Sequence, residues 1–142
     1  MKLGLALASS ALLASALALP ACMGEGSASA TPATTVRTIE IDIKYSTFST
    51  STIDVRAGET VRFKIHNLDP IGHEFIVGDQ AVQDYHEQGT EAHHAGKPGE
   101  VSVSNNADAE TVYTFIGKGT LLFGCHLPGH WAYGMHGTIS IA

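Results

Sequence analysis

Cysteine is scarce in this chain of 142 residues: there are two, Cys22 and Cys125, in unlike surroundings. Cys22 closes a leader-like segment, whereas Cys125 lies in a dense run of metal-ligating side chains near the C-terminus. A disulfide between them would tie a flexible end to the most constrained loop, so no disulfide framework is expected. Basic residues are also few, with 8 Lys and Arg against 14 Asp and Glu and a formal charge of −6. Nucleic acid and anionic membrane surfaces favour clustered positive charge, and neither is an expected partner. The acidity serves solubility or steering onto a basic partner. Helical periodicity is nearly missing, as are internal repeats, a Gly-rich phosphate loop, a Ser nucleophile elbow and any His-x-His pair. These gaps remove the usual signatures of nucleotide binding and of acyl transfer.

Long apolar runs are limited to the N-terminus. Residues 1–21 carry one Lys (Lys2) and then an Ala/Leu/Ser-rich stretch, the pattern of an export signal and too short for a stable membrane span. The stretch ends Leu19-Pro20-Ala21-Cys22, which resembles the lipobox of bacterial lipoproteins, with Pro20 an unusual occupant. The expectation is export to the periplasm or cell surface, anchored through an acylated Cys22. Plain signal-peptide cleavage is the alternative. Residues 22–35 are rich in Gly, Ser, Ala, Thr and Pro and read as a flexible linker. Cys125 is then an unpaired thiol in an oxidising compartment, and a bound metal is the simplest protector.

From Val36 onwards, period-two alternation takes over. Ile39, Ile41 and Ile43 alternate with polar residues, as do Val61, Phe63 and Ile65. Further short strands are expected at Thr52–Val55, His73–Val77, Glu100–Ser104, Thr111–Ile116, Thr120–Cys125 and Gly137–Ala142. The polar segment 79–99 offers at most a helical turn or two around Val82–His86. Several short strands divided by turn residues define an all-β class, a β-sandwich or barrel in one domain over residues 36–142.

The chemistry concentrates in Cys125-His126-Leu127-Pro128-Gly129-His130-Trp131-Ala132-Tyr133-Gly134-Met135. Cys125, His130 and Met135 recur with four residues between neighbours. The thioether is a soft donor that points to copper rather than zinc. A thiolate and one imidazole still need a second imidazole from another strand, and His73, which follows the Pro70–Gly72 turn and opens an apolar run, fits best.

Asn67-Leu68-Asp69-Pro70-Ile71-Gly72-His73-Glu74-Phe75 together with Gly124-Cys125 to Met135 is similar to the cupredoxins of the plastocyanin and azurin family. The spacing between Cys125 and His130 resembles that of auracyanin and rusticyanin. The resemblance implies a Greek-key β-sandwich holding one type 1 (blue) copper ion. His73, Cys125 and His130 would be equatorial ligands and Met135 the weak axial one. It further implies a monomeric one-electron carrier whose redox protein partners dock near His130. The alternative is a periplasmic or surface copper chaperone or copper-tolerance protein. An enzyme is not expected. A multicopper oxidase needs His-x-His pairs, and nitrite reduction needs a second domain.

Other residues carry open readings. Asn67 either ties the ligand loops together or caps a turn. Glu74 should face away from His73, and by the same alternation His126 should turn away from Cys125 onto the surface. His66 is expected to be solvated. Leu127, Pro128, Trp131 and Tyr133 either form a docking patch around His130 or, in the case of Trp131, cover the sandwich end. His86, His93 and His94, with Glu87, Glu91 and His136, form either a second metal site or a solvated loop.

Overall fold

Ile41, Ile43, Val61, Phe63 and Ile65 are all fully buried, while their polar neighbours along the chain face outward or sit at the rim. That alternation makes two neighbouring strands of one sheet. The computed structural model describes residues 36–89, 93–94 and 96–142, so the leader, the linker and Glu91 lie outside the described residues. Strands β1 (Arg37–Ile43) and β3 (Thr60–Asn67) run parallel, with Ile41 opposite Ile65, and β6 (Asp108–Thr114) pairs antiparallel with β3. The second sheet has five strands in the order β2 (Thr52–Val55), β8 (His136–Ile141), β7 (Gly119–Gly124), β4 (His73–Gly78) and β5 (Glu100–Val103).

The two sheets close over a phenylalanine-rich core. Phe75 is the hub, with ring centroids 5.0 Å from Phe63, 5.4 Å from Phe123 and 5.7 Å from Phe48. Removing such a ring costs about 3–5 kcal/mol through lost burial and the cavity left behind. The described domain is the expected all-β sandwich. Strand β6 begins at Asp108 rather than Thr111, because pairing with β3 sets its register from His66–Asp108 to Thr60–Thr114.

One helix interrupts the β pattern. α1 (Gln80–Glu87) is longer than the turn or two expected, and the Asp79 carboxylate caps it by accepting the Val82 N–H at 3.0 Å. It packs directly on the outer face of β4. A Cβ on Gly78 would sit 2.5 Å from the Val82 Cβ, so only glycine permits this approach. The helix has a large consequence for β4: all six of its residues are buried, against the alternating exposure of β1 and β2.

Candidate metal centre

His73 and Cys125 reach the same end of the sandwich from neighbouring strands. His73 opens β4, and Cys125 follows Gly124, the last residue of β7. The chain then turns through Leu127–Gly134. The His130 N–H donates to the Leu127 carbonyl at 2.9 Å and the Tyr133 N–H to the Gly129 carbonyl at 3.0 Å. Met135 closes the loop, donating its N–H to the His130 carbonyl at 3.0 Å, while the Cys125 N–H donates to the Met135 carbonyl at 3.1 Å. The two ends of the loop are therefore clamped together by backbone.

Inside this clamp the Cys125 thiol faces two imidazoles. Sγ lies 3.3 Å from Nδ1 of His130 and 4.0 Å from Nδ1 of His73. Cys125, His73 and Met135 are buried and His130 is half-buried. Met135 belongs to the same apolar cluster as Cys125. The structure thus brings His73, Cys125 and His130 within reach of one ion, and holds the buried Met135 to Cys125 and His130 by backbone hydrogen bonds.

The surroundings tune these groups. Burial pushes the Cys125 thiol up to about 11, although the Leu127 and Glu74 N–H groups donate towards it. Burial also lowers the pKa of His73, against the pull of Asp69, which favours the neutral imidazole that a metal ligand must be. Nε2 of His73 is fixed by Asp69 Oδ2 at 3.0 Å. Asp69 in turn accepts the Tyr45 and Ser46 N–H groups, each at 2.7 Å. Burial opposes its ionisation, but these donors and His73 together hold the carboxyl below its usual range. The sequence does not single out Asp69; the available signal is an acid four residues ahead of a candidate ligand.

Asn67 stitches the turn before His73 to the end of β5. Its amide donates to the Ile71 and Ser104 carbonyls at 2.8 and 2.9 Å, and its Oδ1 accepts the Asp69 N–H at 3.0 Å. No such bond runs from it to the Cys125 loop among the described residues. Trp131 lies over the sheet end, stacked between His126 and His136 at 4.8 and 4.5 Å. A Cβ on Gly124 would come 2.3 Å from that indole. Leu127 packs against the core, and Tyr133 is 90% exposed.

Two expectations need correction. His126 is not a surface residue: it is buried, with Nε2 2.7 Å from Gln83 Oε1 and Nδ1 2.9 Å from Glu87 Oε2. It does turn away from the thiol, but α1 covers the face it turns to. The histidine tract is not simply a solvated loop, since His86 and His94 are buried; His93 and His136 are exposed. His66 does keep to the solvent face of β3, 29% exposed, where its bond to the exposed Asp108 at 2.9 Å raises its pKa.

A two-sheet sandwich with this thiol–imidazole cluster at one end defines a cupredoxin fold, and residues 35–142 match the model of the copper binding proteins of the plastocyanin/azurin family. The chain belongs to that family. Among its relatives is the copper-resistant cuproprotein CopI of Rubrivivax gelatinosus, 41% identical over 98 residues, covering 66% of this chain and 59% of that protein. The CopI of Pseudomonas aeruginosa is 30% identical over 137 residues, covering 74% and 76%. The chain therefore spans only about three-fifths of the first relative's length. A solved auracyanin from Roseiflexus castenholzii superposes with a TM-score of 0.63 at 19% identity, covering 74% of this chain and 96% of that one. That likeness speaks for the fold alone.

Proposed function

We propose that this chain is an exported copper-tolerance protein that binds one copper ion of type 1 through His73, Cys125, His130 and Met135. The observation that carries the reading is the buried Cys125 thiol with a ring nitrogen of His130 at 3.3 Å and one of His73 at 4.0 Å. Copper, when bound there, supplies a one-electron Cu(I)/Cu(II) couple. Cys125 contributes the strongest donor and loses its proton on binding. Asp69 orients His73, and the backbone clamp between Cys125, His130 and Met135 holds the loop. Tolerance is preferred as the use of the site because the relatives quoted above are named for copper resistance. Among the described residues no helix is long and apolar enough to cross a membrane. The lipobox-like Leu19-Pro20-Ala21-Cys22 is what supports attachment through an acylated Cys22. No substrate is transformed in this reading.

A second reading, a one-electron carrier, draws on the exposure around the site. Leu68 and Ile71 on the turn before His73, and Tyr133 in the loop that carries the half-buried His130, are exposed large side chains, as a redox partner would need. Chelator competition separates the two. A carrier retains both oxidation states, whereas a tolerance protein gives up one of them to a competing Cu(I) or Cu(II) chelator. Loss of the gene should sensitise the host to copper, and the Cys125→Ser chain should fail to restore growth. Full restoration by that variant would refute the tolerance reading.

A further inference from the structure

On the far side of β4 from His73 lies a second group of metal-type donors. His86 comes from the last turn of α1, Glu100 from the start of β5, and His94 from the segment between them. All three are buried, and one ligand atom of each lies within 4.8 Å of the others. Glu100 Oε1 is 3.4 Å from His86 Nε2, and Glu100 Oε2 is 3.4 Å from His94 Nδ1. The two imidazole centroids are 4.7 Å apart. Glu100 Oε2 makes no hydrogen bond among the described residues, an arrangement that costs stability unless something satisfies it.

We propose that His86, His94 and Glu100 form a second metal site, selective for a divalent ion of the Cu(II)/Zn(II) class. The donor set decides the class. Two imidazoles and a carboxylate with no sulfur suit Cu(II) and Zn(II), with Cu(II) the tighter by the general affinity order, and do not select Cu(I). The position of each donor is built in. The His94 N–H donates to Ser102 Oγ at 2.8 Å, and its carbonyl accepts the Ser102 N–H at 3.1 Å, which staples it to β5. Glu74 Oε1 lies 3.3 Å from His94 Nε2, behind the ring, so that Nδ1 faces Glu100. Burial lowers the pKa of His86, which favours a neutral ligand.

Access exists as well. A cleft of about 400 Å³ opens beside His86 and Glu100, lined also by Tyr85 and Lys97. The Lys97 ammonium sits 3.1 Å from Glu100 Oε1, on a side chain 56% exposed. The two sites are joined through Glu74. Its N–H donates to Cys125 Sγ at 3.3 Å and its carboxylate meets His94. The inference does not depend on the use proposed for the first site, because it can be read with that site disabled.

The test is a calorimetric titration of the full chain carrying Cys125→Ser with Cu(II) and with Zn(II). The Cys125→Ser chain should bind one equivalent of either ion. Adding His86→Gln or Glu100→Gln should weaken that binding more than about a hundredfold, beyond the usual loss for a residue that only orients a ligand. His93→Gln, at an exposed position, should leave it intact. Far-UV circular dichroism reports folding, and the two variants approach the site from different elements, so misfolding of one leaves the other to decide. No stoichiometric uptake by Cys125→Ser, or uptake unchanged by both variants or abolished by His93→Gln, would overturn the proposal.

Discussion

Replacing Asp69 by Asn tests whether the first site is held from behind by a single carboxylate. The side chain is 8% exposed and receives three donors: the Tyr45 N–H on Oδ1, and the Ser46 N–H and His73 Nε2 on Oδ2. Tyr45 and Ser46 have φ of 56° and 53°, a left-handed backbone that residues other than glycine hold only under constraint. Asn has one accepting oxygen. Whichever way its amide lies, an NH2 group meets an N–H that the carboxylate had accepted, part-buried at Tyr45 and Ser46 and buried at His73. One orphaned donor costs about 1–3 kcal/mol, and the remaining bonds lose their ionic character, so the expected total is about 3 kcal/mol. Urea unfolding of the apoprotein reads this directly. Copper affinity should fall about 10–100-fold as His73 loses its anchor, measured by chelator competition. The pH dependence has a definite sign. The native carboxyl is held low, so its contribution is present above the unfolded value near pH ~4 and is lost as pH falls through the native one. The gap between wild type and Asp69→Asn should close in acid. A stability loss below about 0.5 kcal/mol with unchanged affinity would refute the anchoring role.

Other outcomes follow from the same geometry. Because burial raises the Cys125 thiol to about 11, copper uptake must expel a proton. Apparent affinity should rise about tenfold per pH unit between roughly pH 7 and 10, and a flat profile from competition titrations would count against the thiolate as ligand. Gly124→Ala would place a methyl 2.3 Å from a Trp131 ring already wedged between two histidines. Destabilisation of about 1–3 kcal/mol is expected, with a changed emission from the chain's single tryptophan. Unaltered fluorescence and stability would show that the indole has room to move.

Much of this was legible beforehand where burial is one-sided. Strands β1, β2 and β3 alternate cleanly because solvent covers one face, and Thr52–Val55 matches β2 to the residue. His73 was identifiable because a turn places it at a strand end. Legibility failed on β4 and around His126, for one physical reason. Alternation states which face a side chain takes but not what covers that face, and α1 and the His94 segment cover it here. Gln83, His86 and Glu87 share one face of α1, yet all three are polar and read as solvated. Asp69 escaped because its partners Tyr45 and Ser46 are over twenty residues away in sequence.

The most direct test of the account is the visible spectrum of the copper-loaded protein beside that of Cys125→Ser. The account requires an intense thiolate-to-Cu(II) charge-transfer band in the wild type and none in the variant. A band that survives in Cys125→Ser would contradict it, because the buried thiol at the centre of the cluster would then not be the ligand.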